Sequence, residues 1–303
     1  MSKNRNPGAE ARELHGVLKA SRWLIARRIS QLAFFMLFAS GPWFGIWIAK
    51  GTLSSSMTLD VLPLTDPLVL LQGLVARHKP EMLAIVGAAI VLATYALVNG
   101  RVYCSWVCPI NPVTDLAAWA RRRLDIQKGW NLKPKARYFV LAAVLAAAAL
   151  TGTIAFELIN PITTVYRGLL FGVSWGLLGV LLIFLFDLFV ARNGWCGHVC
   201  PVGAFYSLVN TTGVLRVSAS GRARCDDCMD CYAVCPEMQV ISPALKGASP
   251  SVSPIIANRD CTACGRCIDV CPERVFHFTH RFDRFVESAP DQARNDSALE
   301  KAA

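Results

Sequence analysis

Apolar residues are spread unevenly along the chain, and four long stretches stand out. Ile29–Ala49 carries no charged residue. As a helix rising about 1.5 Å per residue it would span roughly 31 Å, enough for a hydrocarbon core of about 30 Å. Met82–Val98 and Tyr138–Phe156 are also uncharged, and Leu169–Val190 is interrupted only by Asp187. In lipid the backbone must satisfy its own hydrogen bonds, so such stretches must be helices. The pattern predicts a four-helix transmembrane domain over residues 29–191, with helices at about 29–49, 82–98, 138–156 and 169–190. Gly41-Pro42-Trp43-Phe44-Gly45 predicts a kink in the first helix and aromatics at an interface. Residues 1–28 are polar and basic, so they read as a cytoplasmic segment and not as a cleavable signal.

Charge orients the helices. Only 17% of the 303 residues are charged and 54% are hydrophobic, against about 25% charged in soluble domains. Lys3, Arg5, Arg12, Lys19, Arg22, Arg27 and Arg28 precede the first helix. Arg101, Arg121, Arg122, Arg123, Lys128, Lys133, Lys135 and Arg137 lie between the second and third. The intervening loops hold few: Lys50, Arg77 and Lys79 in one, Arg167 in the other. Positive loops stay inside, so both termini and the middle loop are expected in the cytoplasm. The net charge of +10 reads as topology signal and contact with anionic lipid, and needs no nucleic acid.

Twelve cysteines fall on the side assigned as cytoplasmic, where thiols stay reduced. Eight form two copies of one run: Cys225-x2-Cys228-x2-Cys231-x3-Cys235-Pro236 and Cys261-x2-Cys264-x2-Cys267-x3-Cys271-Pro272. Three closely spaced thiolates can grip three irons of one cube, and the fourth ligates the other cluster. The run therefore predicts an α+β bacterial-ferredoxin-like domain with two [4Fe–4S] clusters. Cys225, Cys228, Cys231 and Cys271 would hold the first, and Cys261, Cys264, Cys267 and Cys235 the second. Zinc sites use two paired CxxC units instead of three evenly spaced thiols. Arg222, Arg224, Arg259, Arg266 and Arg274 surround the runs; they would raise the cluster potentials or simply face solvent and anionic lipid.

The other four cysteines make a second repeat. Cys104-Ser-Trp-Val-Cys108-Pro109 follows the second apolar stretch, and Cys196-Gly-His-Val-Cys200-Pro201 follows the fourth. Their shared context predicts a duplicated helix pair with the four thiols facing one another. Three uses fit the thiols, namely a metal site, a redox disulfide and the wall of a quinone pocket; four buried small residues without chemistry is the bland alternative.

None of the five histidines (15, 78, 198, 277 and 280) lies in a predicted span, which leaves a bis-His haem without ligands. The remaining lipid-side electron donor is a quinol. Asp187 is the one ionisable residue deep in a predicted span, and such residues are usually functional. Glu157 and Asp66, at the expected outer edge, are the weaker candidates, and His198 could pass protons. Neither GxxxxGK[ST] nor a strand-to-helix GxGxxG is present, so a nucleotide cofactor is not expected. The remaining expected parts are a linker over 192–216, cluster units over 217–245 and 252–281 joined by a loop at Pro243–Pro254, and a disordered tail over 287–303.

Between about Trp23 and Phe278 the chain resembles the NapH-type ferredoxin-like membrane components of quinol dehydrogenases, and more broadly the MauN-type methylamine-utilisation proteins. The resemblance rests on Ser40-Gly-Pro-Trp-Phe-Gly45, Pro63-Leu-Thr-Asp-Pro67, both CxxxCP motifs and both cluster runs. It implies a bacterial inner-membrane protein that oxidises quinol. Electrons would pass, with a periplasmic iron–sulfur partner of the NapG type, towards nitrate reductase; a MauN-type role in maturing a periplasmic enzyme is the alternative. It also implies a part for Cys104, Cys108, Cys196 and Cys200 in quinol oxidation. Charge puts the clusters inside while the implied acceptor lies outside, and the sequence offers no second cofactor near the outer face.

Overall fold

The computed structural model describes residues 6–126, 129–130, 132–171, 175–246 and 252–283. The chain divides into two units, one of Arg27–Gly213 and one of Met1–Ala26 with Val214–Ala303. The expected tail at 287–303 lies outside the described residues.

In chain order, α1 (Ala9–His15) precedes α2 (Arg22–Phe44). Three short antiparallel strands follow, β1 (Ala49–Gly51), β2 (Ser55–Thr58) and β3 (Leu62–Thr65), with Ala49 opposite Thr58 and Met57 opposite Pro63. Next come α3 (Pro67–Val75), α4 (Met82–Val98), α5 (Val102–Trp106), α6 (Asn111–Arg123), α7 (Ala136–Thr151), α8 (Ala155–Ile159), α9 (Pro161–Phe171) and α10 (Trp175–Leu185). Wider π-type turns cover Phe186–Val190 and Trp195–Val199, and α11 (Pro201–Val209) closes the helical unit.

Glycines set several helix ends that hydropathy misplaced. The first apolar stretch was expected to stay helical to Ala49, but α2 stops at Phe44 because Gly45 turns left-handed (φ 73°) and its N–H bonds back to Gly41. A left-handed glycine is the common way to end a helix. At its other end α2 begins at Arg22, seven residues early, since a helix can continue into polar sequence that a hydropathy window excludes. The third stretch was expected to reach Phe156; α7 ends at Thr151, capped by left-handed Gly152 (φ 65°). The fourth was expected as one helix over 169–190. It is instead α9, starting at Pro161, then α10, then the π-type turn, with 172–174 outside the described residues. Among the described residues, only Lys19–Phe44 is a helix long and apolar enough to cross a membrane, while Met82–Val98, Ala136–Thr151 and Leu177–Val190 are shorter apolar helices.

The second unit is built on a two-stranded antiparallel ribbon of β4 (Leu215–Ser218) and β5 (His277–His280), with Arg216 opposite Thr279. Between the strands lie α12 (Asp230–Val234), α13 (Ser242–Leu245) and α14 (Arg266–Asp269). Helix α13 takes the start of the expected 243–254 loop, while 247–251 lie outside the described residues. Two boundaries move. Residues 192–213 belong to the helical unit instead of a linker. The amino-terminal segment is part of the cysteine-rich unit, tied to it by hydrogen bonds. Gly8 N donates to Asp230 Oδ2 (2.7 Å), His15 Nε2 lies 2.7 Å from the Pro272 carbonyl, and the N–H groups of Trp23 and Leu24 donate to the Asp269 carboxylate. The Trp23 ring meets Phe278 edge-on at 4.5 Å.

Candidate functional site

In the cysteine-rich unit the two runs fold alike. Asp227 and Ala263, each two residues past the first cysteine, are left-handed, as are Met229 and Gly265 two residues later. These turns bend each loop back on itself before α12 and α14, aiming three sulfurs inward. Two cavities result. One, of about 330 Å³, is lined by Cys225, Cys228, Cys231 and Cys271. The other, of about 370 Å³, is lined by Cys235, Cys261, Cys264 and Cys267. The fourth cysteine of each run thus crosses to the other cavity, the interleaving expected from the spacing. Without metal, burial and the neighbouring thiols raise Cys231 to about 12. Such thiols deprotonate readily only when a metal takes the charge. Four sulfurs per cavity fit a [4Fe–4S] group, which takes one thiolate per iron.

The helical unit holds a third cavity, of about 410 Å³, lined by all four remaining cysteines: Cys104, Cys108, Cys196 and Cys200. Tyr103, Ile110, Phe156, Asn160, Ile162 and Trp195 complete most of its wall. Cys108 starts the turn into α6 and Cys200 the turn into α11, so the duplicated motifs do bring their thiols together. Burial pushes the Cys196 thiol well up, with Cys108, Cys200, Asp187 and Cys104 adding to the rise. Burial raises Cys200 to about 11, Cys104 adding to the rise and the N–H groups of Gly203 and Val202 and the Arg101 guanidinium opposing it. Arg101 and Arg137 are both buried, and donate to the carbonyls of Cys196 (3.3 Å) and Gly197 (3.0 Å).

Asp187 is fully buried. Its Oδ1 accepts from Trp195 N (2.8 Å), and Arg121 donates to the Asp187 and Leu188 carbonyls. The carboxylate therefore braces the start of the second motif. It stands the same number of residues ahead of Cys196 as Tyr95 stands ahead of Cys104. His198 sits within the second motif and is not among the cavity's lining residues.

Asp66, a weaker candidate from the sequence, has a clear structural place. It is buried, and its Oδ1 caps α3 by accepting from Leu68 N (2.9 Å). Burial raises its carboxyl to about 6, the Leu68 N–H opposing and Glu157 adding to the rise. Burial pushes the Tyr103 and Tyr206 hydroxyls well up, and the Asp66 carboxyl adds to the rise of both. Tyr103 and Tyr206 stack at 5.0 Å, with Tyr95 edge-on to both. Glu157 accepts from Ser54 Oγ (2.6 Å) and Asn160 Nδ2 (3.0 Å). Asn160 caps the start of α9 through Ile162 N, as Asp66 caps α3. The signal was present as Asp66-Pro67 and Asn160-Pro161, two Asx-Pro helix starts, each ahead of its CxxxCP motif.

A bundle with duplicated cysteine motifs joined to a two-cavity thiol domain defines a ferredoxin-type iron–sulfur electron-transfer protein. A family model described as "4Fe-4S binding domain" matches twice, at residues 81–127 and 173–218, and a "4Fe-4S dicluster domain" matches at 224–275. The chain is 46% identical to the ferredoxin-type protein NapH of Escherichia coli, over 95% of this chain and 99% of that protein. It is 49% identical to the methylamine utilization ferredoxin-type protein MauN of Paracoccus denitrificans, over 88% and 93% respectively. The chain belongs to the NapH/MauN family of ferredoxin-type proteins. No solved structure matches it.

Proposed function

We propose that this protein is the membrane component of a quinol dehydrogenase, passing electrons with a NapG-type partner towards periplasmic nitrate reductase. The carrying observation is the cavity lined by Cys104, Cys108, Cys196, Cys200 and Tyr103, with the buried carboxyl of Asp66 within electrostatic reach of the tyrosines stacked there. A quinol releases two protons and two electrons as it becomes quinone, and that arrangement offers a proton acceptor beside candidate electron acceptors. The quinol head group approaches on the Tyr95–Asp66 side, Asp66 takes a proton, and Glu157 is the second carboxylate within electrostatic reach. Asp187 serves as the brace of the Cys196–Cys200 motif. Cys225, Cys228, Cys231 and Cys271 hold one [4Fe–4S] cluster, and Cys261, Cys264, Cys267 and Cys235 the other; when bound these groups accept and pass single electrons.

The helical unit sits in the bacterial inner membrane as four spans, with both termini and the cluster domain in the cytoplasm. What supports this is the outward display of large apolar side chains, among them Ile29, Leu83, Phe139, Leu150, Leu182 and Phe189. In water such a display would be an aggregation hazard; in lipid it is the expected solvated face.

The test is anaerobic: protein purified in detergent, given a quinol, and followed by electron paramagnetic resonance of the reduced clusters. Reduction by quinol is expected. Reduction by dithionite alone, once a cluster potential too low for quinol has been excluded, would reject the reading. The similarity to MauN favours a second reading, a redox-linked maturation factor for a periplasmic enzyme, which that negative result would support.

A further inference from the structure

We propose that Cys104, Cys108, Cys196 and Cys200 together hold a third [4Fe–4S] cluster, inside the helical unit. Each CxxxCP motif contributes two thiolates, so neither half of the duplication can complete a four-thiolate set. The cavity joins the halves and supplies four. Like each of the two in the cysteine-rich unit, it is lined by four cysteines.

The local backbone is also that of the ferredoxin runs. In all four Cys-Pro steps of this chain, the amide two residues on donates to the cysteine sulfur: Ile110 to Cys108, Val202 to Cys200, Glu237 to Cys235 and Glu273 to Cys271. Proline removes the intervening donor and fixes the turn, so the next amide faces the sulfur. N–H···S bonds of this kind stabilise a ligated thiolate. A structural cysteine packed as a small apolar residue has no need of them.

Charge points the same way. Four thiolates on a four-iron core give a net negative group, which is costly to bury without compensation. Buried Arg101 and Arg137, bonded to the second motif's backbone, place two positive charges beside the cavity. A neutral disulfide pair would not need them.

Phe156, Asn160, Pro161 and Ile162 reach the same cavity from beyond the end of α7. The third cluster deepens the quinol reading by naming what the four thiols hold.

The test is iron and acid-labile sulfide per chain in full-length protein, reconstituted anaerobically with iron and sulfide. About twelve of each are expected, falling to about eight in a Cys104→Ser, Cys196→Ser double variant with the ferredoxin-type resonance signals unchanged. Should the double variant fail to fold, iodoacetamide labelling of the wild type decides: all four thiols should be unreactive with cluster present and modified after chelation. Eight irons, with these thiols labelled in the reconstituted protein, would overturn the proposal; ten would replace the cube by a two-iron cluster. The two readings fail separately. Eight irons with intact quinol reduction sinks only the third cluster, and twelve without quinol reduction sinks only the dehydrogenase.

Discussion

Asp66 illustrates how much one buried carboxyl can control. Burial raises it from 3.8 to about 6, so the folded protein binds this proton more tightly than the unfolded chain. Its contribution to stability is full below about pH 4, fades as pH rises towards 6, and is absent above. A shift of this size corresponds to on the order of 3 kcal/mol. Asp66→Asn keeps the helix cap, since asparagine caps as well as aspartate, and removes the titration. Relative to wild type, its melting temperature in detergent should rise between pH 4 and 6 and stay level above, while quinol-dependent cluster reduction falls at least tenfold. A variant that reduces its clusters at the wild-type rate would remove Asp66 from the reaction. Met229 offers a second test. It is left-handed and exposed where the other run has Gly265, and a side chain there costs roughly 1 kcal/mol. Met229→Gly should raise the thermal midpoint with iron content unchanged, whereas Gly265→Ala, whose Cβ would lie 2.7 Å from Trp23, should lower it. The grouping of eight cysteines around two cavities was legible in the sequence, because their spacing sets which sulfurs can meet. Asp66 was not, because the string Leu64-Thr-Asp-Pro67 does not reveal that the chain folds back against Tyr103.

At the scale of elements, the duplicated halves meet through close backbone approaches. Gly100, just past α4, faces α11: a Cβ there would lie 2.3 Å from the Tyr206 carbonyl, and its N–H donates to Asn210 Oδ1 (3.2 Å). Gly100→Ala must push the α4 end from α11 and shift Tyr206 on Tyr103. It should cost about 1–3 kcal/mol, seen as lower yield of monodisperse protein and a reduced melting temperature; unchanged melting would deny the contact. Helix positions were largely readable from hydropathy, and α4 matched at both ends. Ends decided by a left-handed glycine, as at Gly45 and Gly152, were missed, because a window average cannot see one residue's conformation. The split of the fourth stretch into α9, α10 and a wide turn was invisible for a related reason: periodicity does not distinguish a π-type turn from a continuing helix.

For the whole molecule, the proposed four-span arrangement predicts that reporters at either terminus lie on the cytoplasmic side. Alkaline phosphatase fusions at residue 303 should be inactive and green fluorescent protein fusions bright; the opposite pattern would reverse the assigned orientation. The ribbon β4–β5 and the amino-terminal segment together make one structure from the two ends of the chain. Gly8, His15, Trp23 and Leu24 bond to Asp230, Pro272 and Asp269, residues that the ribosome reaches only after the entire bundle. At a translation rate of roughly 5–20 residues per second, the leading segment waits on the order of ten seconds or more for its partners. Neither four-cysteine set is complete until the run from Cys261 to Cys271 has been made, so cluster loading of that unit is expected to come late. A deletion of residues 6–15 would leave every thiol in place and still yield a chain that matures poorly.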